Sequence, residues 1–163
     1  MNKPRKKYRP KPVNPLAHIV AMQGAALLTR NDVIRCSLNV HSAVEAVRQG
    51  IASKQQWQDL FMSINIMKEL VRMGRAEGQE AIDAMQLAVV GILDRQRETG
   101  TRAVRADELA MLRDVAATYA DLMANITHSE LATAHERTRA RMKRVLSTGA
   151  PDVRVITAPE GIE

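Results

Sequence analysis

Apolar residues recur at intervals of three and four along most of the chain, a spacing that predicts helices. Leu16 to Leu28 reads as a first helix, with Gly24 either weakening it or allowing close packing. Thr29-Arg30-Asn31-Asp32 breaks that pattern and opens a new one. Asn31 is the expected N-cap, and Asp32 suits the positive end of the helix dipole. The second helix should run to about Gln49 and stop at Gly50. Ser53 followed by Gln56 matches a capping box. The third helix then places Trp57, Leu60, Phe61, Ile64, Met67 and Val71 on one face. Ile66, Leu70 and Met73 widen that face, so this helix should be the most buried. Gly74 and Gly78 bracket a turn. A fourth helix is expected from about Gln79 to Glu98, striped by Ile82, Met85, Val89, Ile92 and Leu93. Thr99-Gly100-Thr101 should end it and is a candidate cap for the next.

The fifth helix has the most regular pattern. Leu109, Leu112, Ala116, Tyr119, Met123 and Ile126 alternate steps of three and four, which is an a/d seam. Such a seam suits a bundle contact or self-association, and a homodimer through it is one expected use. The phase is lost at Leu131, five residues after Ile126, and restarts as Leu131, Ala134, Thr138, Met142 and Val145. Thr127 and Glu130 form a second capping-box pattern, so a break there is expected in preference to one re-phased helix. Gly149-Ala150-Pro151 ends the helical region. The fold expected is therefore all-α, a bundle of five to six helices over residues 16–149. A disordered basic arm, residues 1–15, precedes it, and a loose tail, residues 150–163, follows.

Composition sharpens this picture. The chain has one Trp, one Phe and two Tyr but nine Met, with many Ala and Leu. Aromatic and β-branched residues favour sheets, whereas Ala, Leu and Met favour helices. Close helices with Met filling the gaps are expected. No stretch approaches the roughly 18 uninterrupted apolar residues of a membrane span, so a soluble protein with no membrane partner is expected. The basic start followed by Pro15-Leu16-Ala17-His18-Ile19-Val20-Ala21-Met22 has some flavour of a leader peptide. His18 and Gln23 interrupt the run, and no clean cleavage site follows. An arm leading into a helix is the preferred reading. Cys36 is the single cysteine, which favours a reducing compartment such as the cytoplasm. Its apolar setting suggests a buried, inert thiol.

Charge is the most informative feature. Lys3, Arg5, Lys6, Lys7, Arg9 and Lys11 lie within the first 15 residues, with no acid among them. Removing those six from the 24 Lys and Arg leaves 18, equal to the 18 Asp and Glu, so they carry the whole net charge of +6. Pro4, Pro10, Pro12 and Pro15 favour an extended, self-repelling segment, and Tyr8 is its single aromatic. A second basic feature lies near the other end, where Arg137, Arg141 and Arg144 share one helix face and Arg139 and Lys143 sit beside them. A solvated face is the ordinary reading of such a helix. Together with the arm it points to nucleic acid, or to an acidic protein surface, as the partner. Lys3, Arg5, Lys6, Lys7, Arg9 and Lys11 would meet phosphates, and Tyr8 could stack on a base.

Catalytic patterns are not evident. His18, His41, His128 and His135 form no His-Glu-x-x-His motif, and no cysteine pair accompanies them. The acids cluster near expected helix starts, where the dipole alone favours them. Gly74-Arg75-Ala76-Glu77-Gly78 lacks the Lys-Ser/Thr of a phosphate loop. The junction at Ala46 and Gly50 could open a DNA-binding helix-turn-helix, but Trp57, Leu60 and Phe61 make the following helix too apolar to lie in a groove. A non-enzymatic protein with no cofactor and no metal is expected, and an enzyme whose site is dispersed over the chain is the least favoured alternative.

Lys6-Lys7-Tyr8-Arg9-Pro10-Lys11-Pro12-Val13, followed by a helical body, resembles the start of small uncharacterised proteobacterial proteins seen in phage or prophage settings. Ala106-Asp107-Glu108-Leu109-Ala110-Met111-Leu112-Arg113 adds to the likeness, which covers the arm and one helix. The resemblance implies a small accessory or regulatory protein, one acting on a host macromolecule. It carries over no catalytic residue. A protein-binding inhibitor of a host enzyme or nucleoprotein complex is the alternative function it leaves.

Overall fold

Six helices are set out in chain order in the structure, a computed structural model that describes residues 17–148. They are α1 (Ala17–Ala25), α2 (Arg30–Arg48), α3 (Lys54–Arg72), α4 (Gln79–Thr99), α5 (Ala106–Ala124) and α6 (His128–Thr148). The all-α bundle expected from the sequence is what forms. The basic arm and the C-terminal tail expected on either side of it lie outside the described residues, as do Lys3, Arg5, Lys6, Lys7, Tyr8, Arg9 and Lys11.

The helix starts follow local chemistry. At Ser53 the expected box closes: Ser53 Oγ accepts from the Gln56 amide at 3.3 Å, and Gln56 Oε1 accepts from the Ser53 amide at 2.8 Å. Ser53→Ala should lower stability by about 1 kcal/mol, read as a lower urea midpoint with an unchanged slope. The start of α2 differs from expectation, because Thr29 and not Asn31 is the cap. Thr29 Oγ1 accepts from the Asp32 amide at 3.3 Å, and Asp32 Oδ2 accepts from the Thr29 amide at 3.0 Å. A reciprocal box satisfies two orphan amides, which a lone Asn31 cap would not. Similarly, Thr101 does not cap α5. Arg95 donates to both Glu108 and the Ala103 carbonyl, which pins the α4–α5 connection, and Glu108 Oε2 accepts from the Arg105 amide at 2.8 Å.

The break between α5 and α6 falls where the phase slip placed it. Thr127 Oγ1 accepts from the Glu130 amide at 3.3 Å, and Glu130 Oε2 accepts from the Thr127 amide at 2.8 Å. The same junction explains why α1 stops at Ala25 and not at Leu28. Leu27 and Thr127 form an isolated antiparallel bridge. The Leu28 amide donates to the Ile126 carbonyl and the His128 amide to the Ala26 carbonyl, both at 3.1 Å. These bonds need extended backbone, so the helix gives way to them. Leu28 turns into the core at 8% exposure, and Gly24 sits 3.4 Å, measured from where a Cβ would be, from Ser129 Cβ.

The core is centred on α3, as its wide apolar face predicts. Trp57, Leu60, Ile64, Ile66, Met67 and Leu70 are all at most 2% exposed. α3 packs on α2, α4, α5 and α6, while α5 packs on α2, α4 and α3. This arrangement consumes the α5 seam. Leu112, Ala116, Tyr119, Met123 and Ile126 are buried within the chain, and Leu109 is partly buried. Of the two uses expected of the seam, the bundle contact is the one the fold shows: the regular pattern marks the helix with partners on several sides within the chain. No described helix is long and apolar enough to cross a membrane.

Candidate functional site

Two features of the surface are candidate sites, the basic side of α6 and a cleft between α2 and α6. On α6, Arg137 and Arg144 are exposed, as are Arg139 and Lys143. Arg141, which shares their face in the sequence pattern, is partly spent. Its Nε donates to Glu69 Oε1 at 2.7 Å. Arg72 Nη1 donates to the same oxygen at 2.7 Å. Glu69 is only 2% exposed, so two guanidinium groups neutralise one buried carboxylate. Burial pushes the Glu69 carboxyl up, but the hydrogen bonds from Arg141 and Arg72 outweigh it and hold it below its ordinary value. Arg141 thus ties α6 to α3, and the outward basic character of α6 rests on its neighbours. Sequence reasoning missed Glu69. The signal was an acid in phase with Ile66 and Leu70 on an apolar helix face, a position that requires a basic partner from elsewhere.

The cleft exists because α2 and α6 both lean on α3 and leave a gap between themselves. Its volume is about 430 Å³. At one end the helix starts approach each other, with His128 Nε2 3.7 Å from Asp32 Oδ2. From there the cleft runs along both helices, past Cys36 and Val40 on one wall and Leu131 and His135 on the other. Met62 and Ile66 of α3 and Tyr119 of α5 complete it. Cys36 is therefore not a core thiol, as its apolar sequence setting suggests, but a half-buried one in a cleft wall.

The electrostatics of the cleft favour protonated and neutral groups. Burial, and then the Asp32 carboxylate, push the Cys36 thiol up. Burial pushes the Tyr119 hydroxyl up as well, with the Cys36 sulfur adding to the effect. Burial and then Arg139 push His135 down, towards the neutral imidazole. Asp32 is held below its ordinary value, first by its hydrogen bonds from Thr29 and less by His128. Chemically, the cleft offers hydrogen-bond donors on an apolar bed, with the acid at its mouth already engaged. Among the described residues no cluster of His, Cys, Asp and Glu could hold a metal ion.

Family models, curated proteins and solved structures were each compared with the chain, and none matches.

Proposed function

We propose that the chain is a small non-enzymatic accessory protein of the cytoplasm that binds nucleic acid through its basic N-terminal segment, the helical body serving as the carrier. The observation that carries this reading is the placement of charge. The entire net +6 resides in Lys3, Arg5, Lys6, Lys7, Arg9 and Lys11, ahead of a body whose charges balance. A concentrated, proline-spaced run of bases with one aromatic suits phosphate contact with Tyr8 stacking, and does not by itself read sequence. The exposed Arg137 and Arg144 of α6 could add to the field that draws a polyanion in. The resemblance of the arm to phage-associated proteins supports the same accessory role.

Fluorescence anisotropy of the full chain and of a version lacking residues 1–14, against duplex DNA and RNA at several salt concentrations, tests the proposal. Six phosphate contacts predict a log–log salt slope of about −5 on duplex DNA, lost with the segment. Binding that survives the deletion unchanged would sink the reading. Feeble binding by both forms would move the choice to an acidic protein surface as the partner.

A further inference from the structure

The α2–α6 cleft has no part in the proposed contact with nucleic acid, and its chemistry is of another kind. We propose that it is a binding site for a small neutral molecule with an apolar body and one carbonyl-type hydrogen-bond acceptor, seated on the Tyr119 hydroxyl between Cys36 and the α3 wall.

Several observations converge on this. A volume of about 430 Å³ lies within the range of small-molecule sites, roughly 300–1,000 Å³. Val40, Met62, Ile66 and Leu131 give it apolar walls. Tyr119 is 5% exposed and lines the cleft, yet its hydroxyl donates to no described residue. Its oxygen is not among the sealed, unpartnered polar atoms, so the hydroxyl opens onto the cleft, where a ligand's acceptor can replace water and the apolar surroundings strengthen the bond. The charge balance selects against ions. Asp32 is already bonded to Thr29 and feels His128 and Arg35, while Asp59 accepts from the Gln55 side-chain amide at 2.9 Å. Burial keeps the thiol and the phenol protonated, so the floor presents donors without a fixed charge. A phosphate or carboxylate would find no desolvated cation there, and an ammonium group no free buried acid.

The probe is 6-propionyl-2-(dimethylamino)naphthalene, a neutral aromatic with a single ketone. Its emission moves to the blue in apolar surroundings and back towards the red when the ketone accepts a hydrogen bond. The full chain should bind it saturably at one site with a blue shift. Saturation should slow alkylation of Cys36 by iodoacetamide several-fold, a clean readout because the chain has one cysteine. Tyr119→Phe should weaken binding about 3- to 10-fold and move the bound emission further to the blue, because the ketone loses its donor. Met62→Trp, which fills the cleft from its partly exposed side, should abolish both signals; circular dichroism melting confirms that each variant is folded. The proposal is overturned if the probe partitions without saturating, if Cys36 reacts at the same rate with probe bound, or if Tyr119→Phe leaves affinity and emission unchanged. The first two results would mark a cleft that holds only water.

Discussion

Replacing Arg72 and Arg141 together by alanine lowers the stability of the fold by about 3 kcal/mol, although both side chains reach solvent. The reason is the group they leave behind. Glu69 is 2% exposed, and both guanidinium groups donate to its Oε1. An ionised carboxylate stranded in the core is far worse than a lost surface pair. Either single replacement should cost about 1 kcal/mol or less, because the remaining arginine still answers the charge and is itself 40% or 53% exposed. The double variant then exceeds the sum of the singles. Glu69→Met removes the charge and keeps the volume, so it should change stability by less than about 1.5 kcal/mol or raise it. Urea unfolding followed by the emission of Trp57, the one tryptophan, measures all four variants. Acid supplies a second check. The folded-state carboxyl is held below its usual 4.5, so its ionised form stabilises the fold above about pH 4.5 and that contribution is lost as pH falls through the lower folded value. The Glu69→Met chain should accordingly lose less stability below pH 4.5 than the parent. Near-equal stabilities of the parent and the double arginine variant at neutral pH would refute the argument.

Leu112→Ala should cost about 3–4 kcal/mol, the sum of lost transfer free energy and a cavity that rigid neighbours fill only in part. Leu112 is fully buried on α5, which packs on α2, α4 and α3. Its neighbour in the seam, Leu109, is partly exposed, and Leu109→Ala should cost clearly less, about 1 kcal/mol. In a chain of this size the Leu112 loss corresponds to a fall in Tm of roughly 6–16 °C. Both effects should be independent of protein concentration, because the seam is spent inside one chain. A dependence of the Leu112 effect on concentration would restore the seam as an interface between copies.

Much of the fold was legible because it is written locally. The wide apolar face of α3, the Ser53–Gln56 box and the five-residue slip between Ile126 and Leu131 are each contained within a few turns, and each appears where its pattern placed it. The errors were local competitions lost by a small margin. Thr29 outdid Asn31 because Asp32 could return its hydrogen bond, and α1 shortened because distant backbone claimed Ala26 and Leu28. The sites were not legible for a different reason. Glu69 and Arg141 are 72 positions apart, and nothing in either neighbourhood announces the other. The cleft draws its walls from α2, α3, α5 and α6, each contributing residues that look ordinary in their own helix. Tyr119 read as one more seam position, since its hydroxyl has consequences only beside Cys36 and a cavity. The basic segment, by contrast, was visible at once, because charge adds along a chain without needing a fold.

The bridge between Leu27 and Thr127 joins positions about a hundred residues apart, and it does so with backbone alone. Closing so long a loop carries an entropic cost that grows with the logarithm of its length, and two hydrogen bonds do not offset it by themselves. The pairing is therefore an outcome of assembly and not a nucleus for it, formed when α2, α3 and α5 have already brought both junctions together. Once formed it couples them: the α1–α2 turn cannot open without depriving Ile126 of its donor and His128 of its acceptor. The entrance of the cleft, where Asp32 meets His128, stands directly beside this clasp, so the same backbone pairing that joins the two turns also fixes the spacing of the aperture.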